Sequence, residues 1–215
     1  MRTAATPNRL PLRARLRDEV RSAILDAAEQ VLAREGLNAG RMEDIARHAG
    51  VAVGTVYNHF ADRDALLRSL LASRRDELLG RVDRALAAAG PGFRERLAAF
   101  VTAMFAHAQT HRSLLSLLVQ EQGQALKARL EPAPETRTLA QLRVRARQIV
   151  AGGVAEGALR RKDSALWADL LIGSVRALLM RELERPGAPG KSAPVRAMLD
   201  FFMTGAGEPD GHPSH

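Results

Sequence analysis

Cysteine is absent from this 215-residue chain. That removes disulfide bridges, thiol nucleophiles and cysteine-ligated zinc, and it fits an intracellular home. No apolar run is long enough to cross a bilayer. The N-terminal stretch, with Arg2, Pro7, Arg9, Pro11, Arg13, Arg15 and Arg17, has none of the apolar core of a signal peptide. The expectation is a soluble, cytoplasmic protein with no membrane partner. Catalytic patterns are missing too: no glycine-rich phosphate loop, no paired acids in an apolar motif, no serine in a nucleophile elbow. No catalytic residue and no cofactor is assigned, and an all-helical enzyme is kept only as a residual alternative.

Lysine is scarce. Lys127, Lys162 and Lys191 are the only ones, so the net charge of +8 is carried by arginine. Excess positive charge favours a polyanionic partner. An arginine- and alanine-rich composition is also what a GC-rich genome produces, so the total charge decides little. The arm at residues 1–17 is a more local clue, because it holds no acidic residue. It can lie along a phosphate backbone, enter a minor groove, or serve as a flexible solubilising tail.

What is present is helix after helix, with no strand pattern. Val20, Ile24, Ala27, Ala28, Val31 and Leu32 recur at helical spacing and predict a first helix over 18–35, closed by Gly36. After two short helices, Asp62 caps a long fourth one with a stripe of Leu67, Leu70, Leu71, Leu78, Val82 and Leu86, stopped by Ala-Gly-Pro-Gly at 89–92. Phe93, Leu97, Phe100, Val101, Met104 and Ala108 mark a fifth helix, and 113–130 a sixth, ended by Glu-Pro-Ala-Pro. Leu139, Leu142, Ala146, Ile149 and Val150 define a seventh. Leu166, Trp167, Leu170, Leu171, Val175 and Leu178 define an eighth, and a short ninth covers 195–203. The expected fold class is all-α with about nine helices: a helix-turn-helix domain at 18–65, a helical effector-binding and dimerisation domain at 66–204, and a disordered tail at 205–215.

The stretch Met42 to Phe60 is the most informative. Ile45, Ala46 and Ala49 give one short helix a narrow inner face, Gly50 can take the left-handed conformation that ends it, and Val51 can plug the corner. The next helix turns Val56 and Phe60 inward and displays Thr55, Tyr57, Asn58 and His59, hydrogen-bonding groups with almost no charge. That is helix-turn-helix arithmetic, with an exposed helix suited to a groove of DNA. In an unrelated helical protein, Tyr57 and Phe60 would simply be core aromatics.

These residues carry a resemblance. Ala27-Ala28, Gly36, Ile45-Ala46, Ala49-Gly50-Val51, Gly54-Thr55-Val56-Tyr57, His59-Phe60 and Leu66-Leu67 fall at the spacing of the TetR family of transcriptional regulators, which the chain resembles specifically over 27–71. Beyond residue 90 it is similar only in architecture, with a Glu156-Gly157-Ala158-Leu159 close and an Asp163 start to the eighth helix. The resemblance implies double-stranded operator DNA as partner. It makes Val53, Gly54, Thr55 and Asn58 candidates for base contact and Tyr57 and His59 phosphate clamps, and it counts Arg41 with the DNA-contacting set. Arg63 stands where the family usually has a phosphate-meeting lysine. Ala52 replaces the usual capping serine of the third helix, and Gly40 stands where a threonine often caps the second; glycine caps tolerably, whereas alanine does so poorly, a loss of about 1 kcal/mol.

His107 and His111 lie four apart on one helix face, which is metal-ligand spacing. Ala108, however, occupies the place where a zinc-protease helix carries its glutamate. They are read as a polar helix end or as the polar edge of an effector pocket, and no metal is assigned. Phe100, Met104, Phe105, Val119 and Gln120 complete the candidate pocket, its ligand a small, mostly apolar molecule, against the alternative of ordinary core. Trp167, Leu170, Leu171, Ser174, Ala177 and Leu178 offer a small-and-leucine face for a homodimer. The expected function is a DNA-binding transcriptional regulator, a repressor released from a palindromic operator by that effector. The competing reading is an architectural DNA binder without an effector site.

Overall fold

The computed structural model describes residues 11–37, 40–119, 134–159, 164–184 and 193–205. Among the described residues there are nine α-helices and no strand. In chain order these are α1 (Leu12–Glu35), α2 (Met42–Ala49), α3 (Val53–His59), α4 (Arg63–Ala88), α5 (Phe93–Thr110), α6 (Arg112–Val119), α7 (Pro134–Ala155), α8 (Ser164–Glu184) and α9 (Ala193–Asp200). A wider helical turn, Phe201–Gly205, continues from α9. The sixth helix is thus described only to Val119; its expected continuation to 130 and the tail beyond 205 lie outside the described residues. No helix among the described residues is long and apolar enough to cross a membrane.

The chain divides into two compact units, Met1–Leu70 and Leu71–His215. The boundary lies beyond the 65 expected, because Leu66, Leu67 and Leu70 are fully buried residues of the first unit. Its α1 begins at Leu12 rather than Asp18. Residues 12–17, expected to be part of a flexible arm, are therefore helical: nothing between Pro11 and Asp18 breaks a helix, and arginine and leucine are good helix formers. Arg13, Arg15 and Arg17 are exposed on it.

The corner between α2 and α3 follows from its residues. Gly50 sits at φ 68°, the left-handed conformation, and donates its N–H to Arg47 O while the Val51 N–H reaches Ala46 O at 3.0 Å. This pair of bonds satisfies the last carbonyls of α2. Gly40 does not cap α2; Arg41 holds that place, without a side-chain hydrogen bond. Gly40 is buried, and a Cβ there would lie 3.2 Å from Leu32 Cδ2 and from Val31 Cγ1. Its role is close packing on α1.

The second unit is built around one apolar cluster that includes Val82, Leu97, Phe100, Val101, Ile149, Leu171, Val175 and Phe202. Three contacts lock it. Glu156 accepts the Phe93 N–H (2.9 Å), capping α5 in place of the side chain that Gly92 lacks. Arg145 of α7 grips both oxygens of Asp83 of α4 (2.7 and 2.6 Å), which holds that carboxyl below its ordinary range. Gly153 brings α7 so near α5 that a Cβ would meet the Phe93 ring at 2.6 Å.

Candidate functional site

In the first unit, α3 turns Val56 and Phe60 into the core and leaves Val53, Gly54, Tyr57 and Asn58 exposed, with Thr55 and His59 half-buried. Tyr57 is 49% exposed. Ala52 starts the helix without a side-chain cap, as its identity dictates. Arg21 of α1 stacks on the Phe60 ring, 4.9 Å from its centroid. Burial, then the charges of Arg17 and Arg21, push the His59 imidazole below its ordinary 6.5. Both effects favour the uncharged imidazole, whose N–H can be offered to a phosphate. A groove of about 610 Å³ gathers Arg41, Tyr57, Glu43 and Arg63 at the starts of α2 and α4.

Arg63 departs from its expected role. Its guanidinium donates to Gly40 O (2.9 Å) and to Leu37 O, so it is engaged in tying down the loop before α2. The Asp62 carboxylate caps α4, accepting the Ala65 N–H at 2.6 Å. Backbone carbonyls need partners, and Arg63 supplies one to each of these two.

In the second unit a cavity of about 430 Å³ opens among α4, α5, α6, α7 and α8. Met104, His107, His111 and Val119, all expected, line it. Phe100 and Phe105 do not: both are buried in the apolar cluster instead. The reason is packing density, since the ring volume of each is already filled by neighbours of the core. Gln120 lies outside the described residues. Leucine is the commonest wall residue (among them Leu71, Leu78, Leu114, Leu118, Leu139 and Leu183), and Arg74, Arg75 and Arg176 interrupt the wall. The leucines were legible only as each helix's buried stripe; that they face a space is a tertiary fact.

At the cavity wall His111 Nε2 and Glu77 Oε2 are 3.1 Å apart, and His107 Nδ1 lies 4.0 Å from Glu77 Oε1. The two imidazole centroids are 4.5 Å apart, with the ring planes tilted by 50°. Burial, then the His111 charge, lowers His107 to about 4, with Glu77 opposing only in part. Burial pushes the Glu77 carboxyl up but is outweighed by hydrogen bonds from His111 and Arg81, so it ends below its ordinary value. Glu77 had no sequence signature, being one acid in a charged helix face.

Residues 24–70 match the family described as "Bacterial regulatory proteins, tetR family". The chain is also 30% identical to the HTH-type transcriptional repressor KstR2 of Mycolicibacterium smegmatis, over 65% of this chain and 67% of that protein. The chain belongs to the TetR family. With KstR2 of Rhodococcus jostii it shares 31% identity over 47% of this chain, and it spans about half of that relative's length, 49%. The backbone superposes on the transcriptional regulator FadR from Bacillus subtilis, solved in complex with stearoyl-CoA. The TM-score is 0.70 at 20% identity, over 86% of this chain and 98% of that one, a likeness of fold alone.

The set expected to form a dimer face on α8 divides. Leu171 is fully buried in its own core and Trp167 and Leu178 pack against that core, whereas Leu170 (41% exposed) and Ala177 are free-facing and Ser174 is half-buried. Leu171 lies about 100° of helical turn from Leu170, enough to move it from surface to interior. The exposed stripe of this TetR-family helix is Leu166, Leu170, Gly173 and Ala177, accompanied by exposed Phe201.

Proposed function

We propose that the protein is a homodimeric transcriptional repressor that binds a palindromic operator and releases it when a mostly apolar small molecule with an anionic end fills the cavity. Val53, Gly54, Thr55 and Asn58 take the base edges, Tyr57, His59 and Arg41 take phosphates, and Arg63 positions the loop before α2. Two copies joined through the Leu166, Leu170, Gly173 and Ala177 stripe present two such helices, which is why the operator is two-fold symmetric.

The observation that carries the effector reading is the cavity: about 430 Å³, leucine-walled, with Arg74, Arg75 and Arg176 in its lining. An architectural DNA binder has no use for such a space. Its size falls among ordinary ligand pockets, and arginines in an apolar wall suit a carboxylate or phosphate on a greasy chain. The acyl-CoA ligand of the FadR comparison structure supports the same chemistry. Helix α4 contributes to the cavity through Leu71, Arg74, Arg75 and Leu78 and to the first unit through Leu66, Leu67 and Leu70, so it is the element through which filling is felt.

Selection from a random DNA pool tests the reading. A palindrome should be enriched, and long-chain fatty acids or their thioesters should weaken binding to it about 5- to 150-fold, a coupling of about 1 to 3 kcal/mol. Met104, which lines the cavity, should lose that response as Met104→Trp while keeping operator affinity. Ala103→Trp is a poorer test, because Ala103 belongs to the packed core. Failure to enrich any symmetric site defeats the dimeric reader; amphipathic ligands that stabilise the protein yet leave operator affinity unchanged defeat the regulatory half.

A further inference from the structure

The geometry points to Glu77, His107 and His111 as a three-ligand site for a divalent first-row transition metal of the zinc class, with a fourth coordination position open to the cavity. One ligand atom from each residue lies within 4.8 Å of the other two. A tetrahedral centre with bonds of about 2.0 to 2.2 Å needs its ligand atoms roughly 3.3 to 3.6 Å apart. His111 Nε2 lies 3.1 Å from Glu77 Oε2 and His107 Nδ1 4.0 Å from Glu77 Oε1, so the ligand atoms are already near those separations.

A second, independent observation comes from His107. It is 5% exposed, and its Nδ1 has no hydrogen-bond partner. A buried ring nitrogen without a partner calls for an explanation, and this one is aimed at the other two ligand atoms. Two imidazoles and one carboxylate are the donor set that zinc, cobalt and nickel accept, whereas magnesium and calcium call for more oxygens. The helix end supplies the spacing: His107 lies in the last turn of α5, His111 is the residue that caps it and donates its N–H to His107 O (3.1 Å), and Glu77 comes from α4. His107 and His111 both line the cavity, so an oxygen of a bound molecule can complete the coordination shell.

Arg81 and Arg74 set the strength of the site. They lie 3.3 and 3.6 Å from the Glu77 oxygens and oppose a dication there. The site is accordingly an exchangeable one rather than a permanent structural centre. It depends on the effector reading only for the use made of its open position; the three protein ligands stand without it.

The test uses untagged, chelator-treated full-length protein, without DNA or effector. Titration with Co²⁺ should saturate at one equivalent per chain with visible absorption bands of a four-coordinate site, and Zn²⁺ should displace it and raise the thermal midpoint. His107→Ala and Glu77→Gln should abolish the bands while circular dichroism shows unchanged helicity. Arg81→Gln should tighten binding, an effect that a purely structural Arg81 does not produce, and His48→Ala, in the other unit, should change nothing. No saturable absorbance in the wild-type protein, or absorbance that survives both ligand substitutions, overturns the proposal. Because no DNA is present, either result leaves the operator-release experiment to stand or fall separately.

Discussion

Replacing Tyr57 by alanine isolates the contribution of α3 to phosphate binding. The ring is half exposed on a helix that alanine favours, so the change should leave folding stability within about 1 kcal/mol. A hydroxyl donating to a charged phosphate is worth about 1.5 to 3 kcal/mol, or about 10- to 150-fold in affinity. A dimer loses the contact in both half-sites, which doubles the free-energy loss to about 3 to 6 kcal/mol. Because Tyr57 is neutral, the loss should be uniform across DNA sequences and should not alter the slope of affinity against salt. Arg41→Ala, by contrast, should flatten that slope by about one unit per half-site. Fluorescence anisotropy on selected and random duplexes over a salt series reads both, and Tyr57→Phe separates the hydroxyl from the ring. Unchanged affinity of Tyr57→Ala at every salt concentration refutes the assignment of α3 as the phosphate-clamped helix.

Asn58→Ala should relax base preference at one operator position instead of weakening all sequences, as read by competition among point-substituted operators. His59 is held below 6.5 in the free protein by burial and by Arg17 and Arg21, and a phosphate reverses that field. Operator affinity should therefore grow as pH falls below the bound-state value and level off below the free-state one, and His59→Gln should remove this dependence. Leu170→Glu or Ala177→Glu should shift scattering-coupled chromatography from two chain masses to one, whereas Leu171→Glu should unfold the second unit because that residue is fully buried. Gly153→Ala places a Cβ 2.6 Å from the buried Phe93 ring and should cost about 1 to 3 kcal/mol in chemical denaturation; an unchanged midpoint contradicts the close approach of α5 and α7.

The sequence by itself determined what short-range patterns encode. Apolar spacing located the described helices but missed the first turns of α1, because a 3.6-residue period is written in consecutive residues and the polar Leu12–Arg17 stretch shows none. Gly50 and Val51 specified the corner, and Val56 and Phe60 specified which side of α3 is displayed, because these depend on neighbours within one turn. The tertiary structure decided everything that depends on which helices meet. Periodicity says that Leu170 and Leu171 lie on an apolar helix but not which of the two points at α8's neighbours. It marks Phe100 and Met104 alike as inward, yet of the two only Met104 borders a space. Arg63 looked like a cation for phosphate until the loop carbonyls of Leu37 and Gly40 claimed it. Glu77, thirty-four residues before His111, becomes its partner only when α4 and α5 pack. A side chain's chemistry is local, but its partner is chosen by packing, and packing joins residues that the sequence keeps far apart.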